Sequence, residues 1–319
     1  MARPLKVGLD LPHGEGWADG ATPRWADLRA MAERAEAVGF DSLWVADHML
    51  IRWARVAEQY GQSVPPELAA AEPNGVWEGW TILCALAAVT ERIELGTLVM
   101  CTGYRNPTLL AKMAATLDEI SNGRLVLGLG AGDFEDEHRS FGYPWDHRVS
   151  RFEEALTVIT GLLREGHIDH VGQYYQARDC ELRPRGPRPN GPPILIGALG
   201  SGPRMMRLVA QYADRWNGWL AFGDNRVDAV PPLRDAVDAA CVAHGREPET
   251  LERSVAIGVA LLGRDDPQNA PFRGEPEEIT DILLEFAREG ISEIQLELMP
   301  NTLEGIEAFA PILEMLDRA

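Results

Sequence analysis

From one end of the chain to the other, short apolar runs alternate with longer stretches in which apolar residues recur every three or four positions. A run of four to eight apolar or alternating residues fits a strand, and recurrence at three and four fits the buried face of a helix. "LKVGLDL" predicts a first strand. Thr22 and Pro23 then supply a helix start, with Trp25, Leu28, Met31, Ala32, Ala35 and Val38 along one face and Gly39 as the stop. "DSLWVAD" predicts a second strand, a helix through "WEGWTILCALAAVTE" follows, and "IELGTLVM" predicts a third strand. Leu109, Leu110, Met113, Ala114, Leu117 and Ile120 mark the next helix, which Ser121-Asn122-Gly123 ends before the strand "RLVLGLG". Phe152, Leu156, Ile159 and Leu163 mark a further helix, and a Pro- and Gly-rich segment, 166–192, comes after it. Four more pairs complete the chain: "PILIGA" with 203–212, "RWNGWL" with 227–244, "SVAIGVALL" with 276–289, and "EIQLEL" with 303–317.

Eight strand–helix pairs in succession call for parallel strands joined by helical crossovers. A closed eightfold barrel and an open doubly wound sheet both satisfy that alternation. In "SVAIGVALL", Val255, Ile257, Val259 and Leu261 alternate with Ala256, Gly258 and Ala260. Such a strand can turn its small residues into a crowded barrel interior and its large ones toward the helices. Eight repeats within 319 residues also fit a barrel. The expectation is a (β/α)8 TIM barrel forming a single domain over 1–319, with insertions at about 49–76, after the second strand, and 166–192, before the fifth. Gly172-Gln173 between two β-prone runs gives the second insertion a hairpin signature. In "EIQLEL", Gln295 and Glu297 lie opposite Ile294, Leu296 and Leu298, so polar groups enter the interior and need partners there.

Composition narrows the function classes. A formal net charge of −19 disfavours nucleic acid and anionic membrane surfaces as partners. Cys84, Cys101, Cys180 and Cys241 form no CxxC pair, so neither a disulfide framework nor a metal site is expected. No signal-peptide pattern and no long apolar run stand out, and the expected location is the cytoplasm.

The fourth predicted strand ends in "GRLVLGLGAGDFEDE". Gly128, Gly130 and Gly132 lack the final interval of a dinucleotide-binding loop. Four carboxylates within five residues follow them, Asp133, Glu135, Asp136 and Glu137. A pyrophosphate needs main-chain N–H groups and a helix N-terminus, not like charge. The run is then either a tight turn or a backbone kept bare so that a flat ring can approach.

"GFDSLWVADHM", the stretch from "RIELGTLVMCTGYRN" through "GRLVLGLGAGDFEDEHRSFGYP", and "PPILIGALGSGPRMMRLVAQYADRWN" together resemble the bacterial luciferase-like superfamily. The similarity is greater to its deazaflavin branch, which uses coenzyme F-420, than to its FMN monooxygenases. The matching motifs span most of residues 5–220. The resemblance implies the eightfold barrel, with a flavin-like ring in its C-terminal mouth against the ends of the third and fourth strands. It also implies that the glycines give room to the ring while a different loop holds the phosphate.

Asp47-His48 closes the second strand. Histidine exchanges protons near neutral pH, and an adjacent carboxylate can orient it; the same pair could equally be a strand-end cap beside a solvated ring. The resemblance implies that Asp47 and His48 contact the ring and assist proton transfer. It further implies a non-prolyl cis peptide at Leu98-Val99, of which the residues themselves give no sign, and places Cys101, Thr102, Gly130 and Asp136 about the cofactor. Gly200, Ser201 and Gly202 precede Pro203 at a helix start, with Arg204 and Arg207 nearby, and supply N–H groups, a hydroxyl and a positive helix end for a phosphate. At Asp133 the chain departs from its relatives, which carry an aromatic residue or a catalytic glutamate; the carboxylate is either an acid–base group or a solvated charge. Among Trp17, Trp44, Trp53, Trp77, Trp80, Trp145 and Trp216, Trp80 is placed with His13 and Asp133 at the substrate pocket.

These readings converge on an oxidoreductase that moves a hydride between coenzyme F-420 and a small organic substrate, and the resemblance implies a homodimer. The alternatives are reduced FMN with dioxygen, giving monooxygenation, and a non-catalytic barrel that binds a flavin-like molecule. A nicotinamide-dependent doubly wound dehydrogenase is a third.

Overall fold

Eight parallel strands close on themselves in the computed structural model, which describes residues 3–198, 202–221, 225–263 and 271–319. They are β1 (Lys6–Asp10), β2 (Ser42–Val45), β3 (Glu94–Thr97), β4 (Leu125–Gly130), β5 (Ile194–Gly197), β6 (Arg215–Trp219), β7 (Glu252–Ala260) and β8 (Glu293–Met299). Each pairs in parallel with its sequence neighbours, and β8 returns to β1 with Val7 opposite Ile294, so the sheet has no open edge. The crossovers carry α1 (Trp25–Val38), α2 (Gly79–Val89), α3 (Pro107–Ile120), α4 (Arg148–Thr160), α5 (Pro203–Tyr212), α6 (Val230–Ala243) and α7 (Pro276–Arg288), and α8 (Leu303–Leu316) follows β8. The expected (β/α)8 architecture is therefore the one observed.

Local chemistry fixes the helix ends. Gly39 ends α1 in the left-handed region at φ 99°, which L side chains adopt at a cost. That helix starts at Trp25 rather than at Pro23, because the Asp27 carboxylate accepts from the Arg24 N–H at 2.8 Å and sets the first turn there. Glu78 caps α2 by accepting from the Thr81 N–H at 2.7 Å, and Asn106 caps α3 through the Thr108 N–H at 2.9 Å.

The barrel interior is layered, and the alternation in β7 predicts its lining. Val255, Ile257 and Val259 face the helices, while Ala256 joins an inner apolar cluster with Trp44, Leu98, Val126 and Leu195. Gly96 makes room for the Trp44 ring, since a Cβ there would sit 2.2 Å from it. Below this plug, the Asn217 amide donates to Gln295 Oε1 at 2.8 Å and to Ser254 Oγ at 3.1 Å, which gives the inward Gln295 a partner. Deeper still, Arg215 meets Glu293 and Glu94 at 3.1 Å and Glu252 at 2.8 Å. Burial pushes the Glu293 carboxyl up to about 7. Lys6 also reaches Glu94 at 3.4 Å, so three carboxyl groups share two cations, and Glu293 is only 2% exposed.

Both insertions have structure of their own. The first pairs Leu50–Ile51 with Asn74–Gly75 and places helices Trp53–Gln59 and Pro66–Ala69 between them. The second is an antiparallel hairpin, His167–Val171 with Gln176–Glu181, whose turn closes from the Gly172 N–H to the Tyr175 carbonyl at 3.0 Å. No helix among the described residues is long and apolar enough to cross a membrane.

Candidate active site

The C-terminal strand ends form a mouth whose floor is the inner apolar cluster, with Val99 and Trp219 packed against it. The peptide bond between Leu98 and Val99 is cis. Beyond it, Met100 and Cys101 resume pairing with Leu129 and Gly130. The glycines of β4 fit against this segment. A Cβ on Gly128 would lie 1.8 Å from the Thr97 carbonyl oxygen, and one on Gly130 would lie 2.6 Å from Val99. Gly132, at φ 81°, faces His138 and Cys101. The room these glycines make is taken by the chain's own third-strand end and by His138, an internal use that a reading based on a ring alone does not contain.

His48 stands over the mouth, held from behind. Its Nδ1 is 3.0 Å from Glu137 Oε2, and its ring stacks on Phe134 at 4.6 Å between centroids. Glu137 is 1% exposed and saturated: it also accepts from the Leu50 N–H at 2.9 Å, from the Met49 N–H, and from the Tyr104 hydroxyl at 3.0 Å. Nε2 of His48 has no partner among the described residues and is not sealed from solvent. Burial by itself would pull the imidazole down. The Glu137 hydrogen bond and the charges of Asp133, Glu137 and Asp47 outweigh it and hold the ring above its ordinary value. Glu137 is held below its own ordinary value, since His48 and the two main-chain donors override its burial.

Asp47 does not touch His48 through a hydrogen bond. It is 5% exposed and takes both forks of Arg105, at 2.7 and 2.9 Å, together with the Cys101 N–H at 2.8 Å. Arg105 reaches on to Glu78 at 2.5 Å. This bidentate pair ties the end of β2 to the segment after the cis bond. Cys101 is buried, and burial first, then the Asp47 charge, drives its thiol upward, so it is a neutral wall and not a nucleophile.

The other expected site residues fall in several places. Asp133 lies in the mouth, where its charge acts on His48 and its carbonyl accepts from the Gln59 amide. Asp136 is engaged by Arg52 at 2.7 Å, so it fastens the first insertion to this loop. Arg204 is held by Glu153 at 2.7 Å, which also takes Arg207 at 2.7 Å. Gly202 caps α5, with open space where its Cβ would be; Gly200 and Ser201 lie outside the described residues. His13 is fully buried, its two ring nitrogens 2.9 and 3.1 Å from the carbonyls of Leu11 and Ala46. Trp80 is likewise buried. It packs in the core between barrel and helices at 6% exposure, because it falls in the first turn of α2 on that helix's inward face.

Three groups escape the sequence reading: Glu137 as the partner of His48, Arg105 as the partner of Asp47, and Asp10. Asp10 ends β1, and its carboxyl is pushed up to about 7 by burial, against the opposing pull of the His48 charge. The mouth thus holds an imidazole that can carry a proton at neutral pH, a carboxylate fixing that imidazole, an apolar floor and a nearby helix N-terminus. No group of three metal-ligating side chains is assembled among the described residues.

Residues 5–271 match the family described as luciferase-like monooxygenase. The chain is 31% identical over 265 residues to a phthiodiolone/phenolphthiodiolone dimycocerosates ketoreductase of Mycobacterium tuberculosis, covering 78% of itself and 65% of that protein. It is 31% identical over 259 residues to an F-420-dependent glucose-6-phosphate dehydrogenase of Amycolatopsis mediterranei, covering 79% of itself and 68% of the relative. In fold it resembles an F-420-dependent secondary alcohol dehydrogenase solved with an F-420–acetone adduct (TM-score 0.75, 18% identity, 98% and 99% coverage). It also resembles a long-chain alkane monooxygenase (TM-score 0.75, 16% identity, 99% and 92% coverage).

Proposed function

The chain belongs to the luciferase-like monooxygenase family; on that premise we propose that it is an oxidoreductase, that its cofactor is coenzyme F-420 and that the reaction is hydride transfer to or from an organic substrate. One observation carries the reading: His48 offers a single proton-bearing edge, Nε2, at an apolar-floored mouth while Glu137 fixes Nδ1. Of the relatives named above, one is a ketoreductase and the other an F-420-dependent glucose-6-phosphate dehydrogenase, which supports the reading.

The residues present fit a tricyclic ring with a phosphorylated side chain. Val99 and the inner cluster give a flat apolar surface for the ring. The N-terminus of α5, capped by Gly202 with Arg204 and Arg207 behind it, suits the phosphate. When bound in its reduced form, coenzyme F-420 supplies a hydride at carbon, with no oxygen adduct. The chain's own task is the matching proton. Glu137 accepts from Nδ1–H and so leaves Nε2 as the exchanging atom, and its charge keeps the imidazolium populated at neutral pH. His48 then gives the Nε2 proton to the substrate oxygen as the carbon is reduced, and takes it back in the oxidative direction. The insertion 49–76 lies beside this edge and limits water access.

Stopped-flow mixing of the protein with reduced coenzyme F-420 and a panel of ketones and aldehydes tests the proposal. Loss of the reduced chromophore without oxygen consumption is expected. Turnover only with reduced FMN and dioxygen would replace the reading with monooxygenation, and tight cofactor binding with no redox chemistry would leave a binding barrel.

A further inference from the structure

Two buried oxygen acceptors at the mouth, between the ends of β1 and β8, have no donor among the described residues: Asp10 Oδ1 and Asn301 Oδ1. They belong to one corner. Asn301 Nδ2 donates to the Asp10 carbonyl at 2.8 Å, which fixes the Asn301 amide against the end of β1. The Asp10 side chain faces the interior, because Leu9 and Leu11 on either side pack into the core outside the barrel and Gly8 abuts Ser42 and Trp44 within it. On β8, register continued from Leu9 opposite Leu296 sets the inward Glu297 beside Asp10. His48 is near enough for its charge to act on Asp10.

A buried polar atom without a partner is costly, and a buried carboxylate oxygen more so than an amide. Two such acceptors in one corner of the mouth suit a ligand that brings donors. From this corner we infer a substrate subsite for a protonated amine, held by Asp10 and Asn301 while His48 attends to the reacting carbon. An ammonium group offers three N–H donors, enough for both oxygens, and offsets the buried negative charge. A hydroxyl supplies one donor and no charge, and an ether or ketone supplies only further acceptors. Burial raises the Asp10 carboxyl to about 7 even against the pull of the His48 charge, so a second cation beside it would favour the ionised form. The inference rests on the hydride-transfer reading for the position of the reacting carbon, but not for the existence of the subsite.

Three ketones of one shape provide the probes: 4-aminocyclohexanone, 4-hydroxycyclohexanone and 4-methylcyclohexanone. Calorimetric affinity is measured with the full chain, with and without coenzyme F-420, beside a separate titration of the coenzyme itself. The wild type is expected to bind the amine at least about tenfold more tightly than the methyl compound, with the alcohol between them. In Asp10→Asn, which keeps the shape and removes the charge, the preference falls to within about twofold while coenzyme affinity is kept. Asn301→Leu removes the second acceptor and reduces the preference in part. Equal affinities in the wild type, or an amine preference that survives Asp10→Asn, would overturn the subsite. Loss of coenzyme binding alone would overturn the hydride-transfer reading and leave the subsite standing.

Discussion

Glu137 decides what His48 can do. His48→Ala removes the proposed proton carrier and is expected to lower kcat by about 10²–10⁴-fold, while cofactor affinity, proposed to rest on the floor and the α5 terminus, is expected to change far less. Stopped-flow turnover beside a fluorescence titration separates the two. Glu137→Gln keeps the shape but removes the charge, so the imidazole falls back toward its ordinary value and the basic limb of the kcat profile moves to lower pH. An unchanged limb would separate Glu137 from the chemistry. The stability signs follow from the same pair. The raised His48 contributes stability that is complete below its unfolded value and is lost as pH rises through the folded one; the lowered Glu137 contributes stability that is lost as pH falls through its folded value. The sequence shows Asp133, Glu135, Asp136 and Glu137 as equals. What separates them is the phase of the helix Glu135–Phe141, which turns Glu137 and His138 inward, and seven residues are too few for that phase to appear as periodicity. Asp47 was legible as a strand-end carboxylate, but Arg105, 58 residues further on, was not legible as its partner.

At the scale of elements, the first insertion is stitched to two barrel loops. Glu15 takes the Gly75 N–H at 2.6 Å on the β1 side. On the β4 side, Arg52 meets Asp136, and Gln59 bridges the Asp133 carbonyl and the Glu135 N–H. These contacts are half-exposed, so each stabilises the whole fold by no more than about 1 kcal/mol, yet together they hold the segment over the mouth. Paired Arg52→Ala and Gln59→Ala substitutions are expected to speed thermolysin cleavage within 53–69 several-fold while Tm drops by only about 2–4 °C. A large loss of Tm with unchanged cleavage would make the segment part of the global core. The alternation of strands and helices was legible because each carries its own period, and the hairpin was legible from its Gly172 turn. The 53–59 and 66–69 helices were not, since exposed Trp53 and Tyr60 break any apolar stripe. Arg204 was read as a phosphate ligand without sight of Glu153, which belongs to a different helix.

Across the whole molecule, the barrel is sealed at one end by charge and at the other by an apolar plug. The inward polar face of β8 was legible in "EIQLEL", but its partners Arg215, Asn217 and Ser254 sit on other strands and only closure of the barrel assembles them. Glu293, raised from 4.5 to about 7 by burial, contributes stability that is complete below about 4.5 and is lost as pH rises through about 7. Urea denaturation between pH 5 and 8 is therefore expected to show a wild-type decline of which Glu293→Gln removes up to roughly 3 kcal/mol. Parallel curves for the two proteins would contradict this. The central claim concerns the other end, where a deazaflavin ring is proposed to lie on Val99 with His48 at its reactive edge. A crystal structure of the chain with coenzyme F-420 tests it most directly. The account predicts the ring in van der Waals contact with Val99, His48 Nε2 facing its reactive carbon and the phosphate at the start of α5; a coenzyme bound away from the mouth, or His48 turned from it, would contradict the account.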